Sequence, residues 1–193
     1  MESDDAFFSV ASPFQVLLDP IESELLWLDD DALPQQMPPA FRLMAQVSEL
    51  EQHCLPLLKG LEQHAGALAD YLRLQSQKID LVLQQQLAQD PNARWQAQGV
   101  RFGGSGVTVR LSEPLLAGQA VALRLFLPQD QVAAYAHGEV ISCIDQELGL
   151  LAEIRFCAIL DRDQEQLVRA SLQVQQRQLR QRAEQQRNQQ TGK

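Results

Sequence analysis

The feature that most limits how this chain can fold is an apolar repeat in its first half. Leu43, Val47, Leu50, Cys54, Leu57 and Leu61 recur at intervals of 4, 3, 4, 3 and 4 residues, and Ala65, Leu68, Leu72, Gln75, Ile79 and Val82 continue the alternation. Such spacing lays one apolar stripe along an α-helix. Two adjacent intervals of four meet at Leu61, a stutter that locally unwinds a left-handed supercoil. Pro56, Gly60 and Gly66 flank that point, so a kink or a break into two helices is expected there, with Pro56 suited to the first turn of the second. Unbroken, about 50 helical residues span roughly 75 Å, more than a domain of this size can cover. The stripe therefore either folds back on itself through the Pro56 region or meets another chain in a coiled coil. We take the second as the expectation: residues 39–90 form an oligomerisation segment with Leu50, Leu57, Leu61, Leu68, Leu72, Gln75, Ile79 and Val82 at its seam. The amide of Gln75 either fixes register and strand number at a cost in stability or marks a wet core position.

To either side the pattern changes to strands. Within FFSVASPFQVLL, residues 7–18, a strand is expected over Phe14–Leu18, closed by Asp19-Pro20. Residues 21–28 suit a short turn of helix, and DDDALPQQMPP completes a linker over 21–38. Asp90-Pro91-Asn92 ends the helical half. Further strands are expected at Val107–Leu111, Ala120–Leu127, Tyr135–Ile144 and Gly149–Phe156, with a turn at Leu115–Gly118. Short strands with turn signals every eight to twelve residues or so describe a small antiparallel barrel or sandwich. From Asp161 to about Gln190 a polar helix carries a narrow stripe of Leu167, Val168, Leu172, Val174 and Leu179. Its end, RQRAEQQRNQQTGK, has no apolar face and is expected to fray.

Charge removes several functions. A net charge of −9 over 193 residues argues against a nucleic-acid surface. The first 31 residues hold nine acids and no Lys or Arg, while residues 161–193 hold seven basic residues against four acids. Head and tail are either solvated or paired with each other. With no signal-peptide pattern and no apolar run long enough to cross a membrane, the expected setting is the cytoplasm, without membrane insertion. The three cysteines, Cys54, Cys143 and Cys157, have no framework spacing and are expected to stay reduced, with Cys143 and Cys157 placed as neighbours on adjacent strands. His53 and His64 share a helical face but stand about 16 Å apart, too far for one metal. No metal site and no catalytic residue are expected; His137 is given no role, and no base stands at a useful spacing from any Ser or Cys.

The glycine-rich stretch GVRFGGSGV, residues 99–107, is the remaining candidate site. It is not a phosphate loop: no Lys-Ser/Thr follows Gly106, and a strand follows where such loops need a helix N-terminus. From Val100 onward, RFGGSGV, LLAGQAVALRLFLP, HGEVISC, GLLAEIRF and DRDQEQLVRASLQVQQRQLR come in the order of a PilZ domain, which the chain resembles. With a helical segment inserted after the first strand, it is similar to the atypical (tPilZ) group of the cyclic di-GMP receptor family, whose added helices build tetramers. The resemblance implies an α+β fold: a PilZ-like antiparallel β-barrel using residues 1–20 and 91–160, a helical insertion at 39–90, and a C-terminal helix at 161–193. It also implies a homotetramer with a protein partner in bacterial motility, pilus or cyclic di-GMP signalling. Receptors of that family hold the nucleotide with R-x-x-x-R and [D/N]-x-S-x-x-G. Here the first motif is absent; in the second, Arg101 replaces Asp/Asn, Gly103 replaces Ser, Ser105 comes two positions late, and only Gly106 matches. The expected function is a non-enzymatic adaptor with a lost nucleotide site and no cofactor. The alternative is a cyclic di-GMP receptor with an altered site, for which Arg94 and Arg101 are the available anion contacts.

Overall fold

The computed structural model of the protein describes residues 9–43, 46, 63–88, 90–130, 132–147 and 149–191. Six strands, β1 (Ser9–Pro20), β2 (Trp95–Gly103), β3 (Gly106–Leu111), β4 (Ala120–Leu127), β5 (Val132–Gln146) and β6 (Gly149–Ile159), form a closed barrel in the order β1-β2-β3-β6-β5-β4. Every neighbouring pair is antiparallel, and β4 returns to β1. The first strand is longer than Phe14–Leu18. It passes through Pro13 at a bulge between Ala11 and Phe14, before its pairing with β4 begins at Gln15, so the missing N–H breaks no second ladder. The strand at Trp95–Gly103 was not among those expected: its WQAQGVRFG alternates weakly and ends in the glycines read as a turn.

Both faces of β4 are buried, which accounts for the unbroken run AVALRLFL. Val121, Leu123, Leu125 and Leu127 point into the barrel with Val16, Leu18, Phe102, Val109, Val140 and Ile154. Ala122 and Phe126 point outward, into a second core with Leu17, Tyr135 and Ala158. That outer core is covered by residues expected as a linker. A 3-10 turn (Ser23–Leu25), helix α1 (Leu33–Gln36) and the start of a helix at residues 39–43 bring Leu33, Met37 and Phe41 onto it. The Phe41 ring lies 5.8 Å from Phe126 and 6.0 Å from Tyr135. Residues 21–38 are thus a packed layer, because the outward apolar side chains of β1, β4 and β5 need a cover.

Helix α2 (Gln63–Leu87) returns to the barrel at its C-terminal end, where Ala88 joins the outer core. The expected kink at Leu61 and the seam residues Leu50, Leu57 and Leu61 lie outside the described residues. The last helix, α3 (Asp161–Thr191), runs through the stretch expected to fray, where Gln, Arg and Ala all favour helix. Of the stripe read from the sequence, Leu167 and Val174 are buried, together with Ala170 and Ser171, while Val168, Leu172 and Leu179 are exposed. Small residues at 170 and 171 let the helix backbone approach the barrel it closes.

A buried cation fastens this scaffold together. Arg124, on the outward face of β4, is 5 % exposed and paired with Asp19 of β1 and with Asp90, the latter at 2.6 Å. Asp19 also accepts the Arg94 backbone N–H at 2.8 Å. The Asn92 backbone N–H and the Arg124 guanidinium hold the Asp90 carboxyl below its ordinary range. Arg124→Ala strands two carboxylates that are about one-third exposed. The expected loss is about 2–3 kcal/mol, under the cost of breaking a fully buried pair, read by urea denaturation.

A buried acid sets a pH dependence. Burial pushes the Asp163 carboxyl, in the first turn of α3, from 3.8 up to about 6, against Arg162 and a hydrogen bond from the Tyr135 backbone. The folded chain then binds this proton more tightly than the unfolded one, so its contribution to stability falls as pH rises from 3.8 to about 6. Asp163→Asn removes that dependence. Across this window its stability relative to wild type is expected to rise by up to about 3 kcal/mol, measured by denaturation at stepped pH.

Candidate functional site

The glycine-rich stretch forms the β2–β3 hairpin, with Gly104 and Ser105 between the strands. Its glycines answer to packing. A Cβ on Gly106 would lie 2.5 Å from the Ile154 carbonyl oxygen of β6, and one on Gly104 would lie 2.5 Å from Val168 Cγ2 of α3. The turn's polar backbone is also engaged: the Gln164 side-chain amide donates to the Gly104 carbonyl at 2.9 Å, and the Phe156 N–H donates to the Ser105 carbonyl at 2.9 Å. The hairpin tip is therefore the seam where β3, β6 and α3 meet, and its small residues admit their backbones.

Arg94 and Arg101 do not form one site. They are seven residues apart, Arg94 just before β2 and Arg101 near its far end, a separation of about 23 Å along an extended strand. Arg94 lies against the Trp95 ring and 3.3 Å from Glu113. Arg101 donates from Nε to Ser9 Oγ and from Nη2 to the Ser9 carbonyl, each at 3.1 Å. Gly103, where the family's Ser is expected, is buried at the end of β2.

The other candidates lie on α2. Leu68, Leu72, Ile79 and Val82 are 54, 43, 58 and 61 % exposed, and Tyr71, Leu74 and Leu81 are exposed beside them. Gln75, one turn from Tyr71, donates to its hydroxyl at 2.8 Å. A helix this apolar on its outer surface is unusual for a monomer.

Sequence reasoning missed two polar groups that fix the layer over the barrel. His137 is fully buried: Nδ1 lies 2.6 Å from the Leu25 carbonyl, and Nε2 lies 3.0 Å from the Tyr135 hydroxyl. A carbonyl only accepts, so Nδ1 carries the proton and Nε2 of the neutral ring accepts from Tyr135. Burial lowers the imidazole's pKa against the Leu25 hydrogen bond, and raises the Tyr135 phenol to about 12. The second group is Arg124, whose signal was a lone cation within an apolar strand. The cysteines are not neighbours: Cys143 pairs across with Ala152, five residues from Cys157, roughly 16 Å along β6. Burial raises the Cys157 pKa, which leaves the thiol protonated and poorly reactive. Among the described residues, no group of three His, Cys, Asp or Glu side chains is placed to hold a metal ion, and no helix is long and apolar enough to cross a membrane.

No protein-family model matches this chain, and no curated protein does. Solved structures do. The chain is similar to a pathogenic protein from Xanthomonas campestris described as a new tetrameric PilZ domain self-assembled via an unusual helical bundle. That match covers 91% of this chain and 92% of the other, at 13% identity and a TM-score of 0.53. The Bacillus subtilis inhibitor of motility matches over 42% of each chain, at 16% identity and a TM-score of 0.40. The fold, a closed six-stranded antiparallel barrel with a C-terminal helix, is PilZ-like.

The packing at the hairpin makes its own prediction. Gly106→Ala, set against backbone, is expected to cost on the order of 3 kcal/mol, and Gly104→Ala, set against a side chain, about 1 kcal/mol. Thermal unfolding of the two variants measures the order.

Proposed function

We propose that this chain is a non-enzymatic PilZ-type adaptor that assembles as a homotetramer through its helical insertion and acts by protein contacts. The observation that carries the reading is the outer surface of α2, where Leu68, Leu72, Ile79 and Val82 are all at least 43 % exposed in a single chain. Burying such side chains against other copies gains about 25 cal/mol per Å² of apolar surface, which gives the long insertion a reason to exist. A helical bundle serves self-assembly in the similar Xanthomonas campestris protein, and we carry that arrangement over as part of the proposal. The protein partner belongs, by the family resemblance, to bacterial motility, pilus or cyclic di-GMP signalling.

The lost nucleotide site is part of the same reading. The glycines of the hairpin are filled by Ile154 and Val168, Arg94 faces Glu113, and Arg101 is tied to Ser9. What remains has neither the paired arginines nor the Asp/Asn edge that a cyclic dinucleotide would need.

Light scattering on the purified protein is expected to give a mass near four times 21.7 kDa. Ile79→Glu with Val82→Glu should lower that mass while leaving the barrel's unfolding transition in place. A concentration-independent monomer would sink the assembly. Calorimetric titration with cyclic di-GMP is expected to show no heat of binding. Micromolar binding that disappears in Arg101→Ala would instead establish the receptor reading.

A further inference from the structure

The β5–β6 hairpin runs past the wall of the barrel and leaves a strand edge open at the end opposite α3. β4 begins at Ala120, opposite Glu139, whereas β5 continues to Gln146. The last contact on that side comes from the turn before β4. There the Gly118 N–H donates to the Val140 carbonyl at 2.7 Å, and the Val140 N–H donates to the Gln119 carbonyl at 3.0 Å. Beyond Val140 the strand gains one residue, Ile141, at a bulge. Residues 142–146 then pair with β6 alone among the described residues.

The register decides which backbone groups this edge offers. Gln146 is paired with Gly149 at the closed end of the hairpin. A turn that tight is closed by a pair exchanging both backbone hydrogen bonds, and such pairs alternate along the ladder with pairs that exchange none. Ser142, Ile144 and Gln146 therefore bond to β6, while the N–H and C=O groups of Cys143 and Asp145 point away from it. Val140, on the other side of the bulge, turns its own groups the same way, as its two bonds to the turn show. Side chains alternate as well. Cys143 leans on the barrel core, which puts Asp145 on that face, and Ile144 stands exposed on the other. Leu116 of the turn and Ile141 of the bulge are exposed where the edge begins.

Charge says what can lie there. Asp145 and Glu147 are exposed at the edge, Glu153 stands across from Ser142, and none of the three is in an ion pair among the described residues. Arg110 of β3 lies on the far side of β6, against Gly149. A second copy pairing through this edge would bring Asp145 and Glu147 towards their own counterparts, and like charges facing across a ladder are destabilising. The acids thus guard the edge against self-pairing, as charges on open edges do, and select a cationic strand instead. We propose that the β5 edge is a docking site for an extended, basic segment of a partner protein, added to the sheet as a strand in line with β4. Main-chain bonds to Cys143 and Asp145 hold it. Its Lys or Arg side chains meet Asp145 and Glu147 on one face, and its apolar side chains meet Ile144 on the other. The site is separate from the assembly surface of α2.

The test uses the full chain and a short labelled peptide alternating Lys and Val, which carries both faces of such a strand. Its controls are a Glu–Val peptide of opposite charge and a Lys–Pro peptide of equal charge whose prolines cannot donate to a ladder. Fluorescence anisotropy is expected to show saturable binding of the Lys–Val peptide, at least tenfold weaker for either control and for Asp145→Lys. Asp145 is exposed, so this variant should melt as wild type does. Hydrogen exchange locates the contact: the amides of Cys143 and Asp145 should exchange fast in the free chain and at least tenfold more slowly with the peptide, while those of Ser142 and Ile144 stay protected throughout. Ile79→Glu with Val82→Glu should bind the peptide as wild type does, whatever its oligomeric state. Absence of binding, equal binding of the Lys–Pro peptide, unchanged exchange at Cys143 and Asp145, or loss of binding in the α2 variant would each overturn the proposal.

Discussion

Arg124 is the charge around which the rest of this structure is arranged. It occupies the middle of a strand whose neighbours are all apolar, and its charge is compensated by Asp19 and Asp90, which come to it from two directions. Asp19 belongs to the first strand, and Asp90 stands where the helical insertion returns to the barrel. The ion pairs therefore fasten the two ends of a long excursion to one point. Burying a charge is costly unless it is paired and hydrogen-bonded, so other placements of the insertion's exit would leave this guanidinium stranded. Such pairs specify geometry more reliably than they add stability.

The barrel wall then serves two cores. Inward side chains of β1 and β4 fill the barrel, while Leu17, Ala122 and Phe126 face out and are sealed by Leu33, Met37 and Phe41. The buried ring of His137, donating to the Leu25 carbonyl and accepting from the Tyr135 hydroxyl, ties the same layer down. With its C-terminal end fixed beside this layer, α2 carries an apolar surface that the barrel leaves uncovered.

Much of the architecture was readable because it rests on local periodicity. The alternation of VTVRL, the apolar run AVALRLFL and the three-four spacing of Leu68, Leu72, Gln75, Ile79 and Val82 each announce their element. What escaped had no local signal. WQAQGVRFG reads as a polar segment because one of its faces meets solvent and glycines interrupt the other. Residues 21–38 read as a linker because Asp29-Asp30-Asp31, Pro34 and Pro38-Pro39 break up the apolar positions Leu33, Met37 and Phe41. The buried face of α3 was read in Leu167 and Val174 but not in Ala170 and Ser171, which are chosen for closeness, a property that hydrophobicity does not record.

The candidate site divides in the same way. The sequence by itself determined that the cyclic di-GMP motifs are degenerate, since motif identity is a matter of which residue stands at which position. It also determined that a helical segment with an apolar stripe interrupts a barrel. Only the tertiary structure decided what the remaining arginines face. Arg94 and Arg101 are close in the chain yet held about 23 Å apart by an extended strand, whereas Arg182, distant in the chain, is brought to a cavity beside Arg101 by the packing of α3 on β1. Charge acts through space, and the sequence orders residues only along the chain.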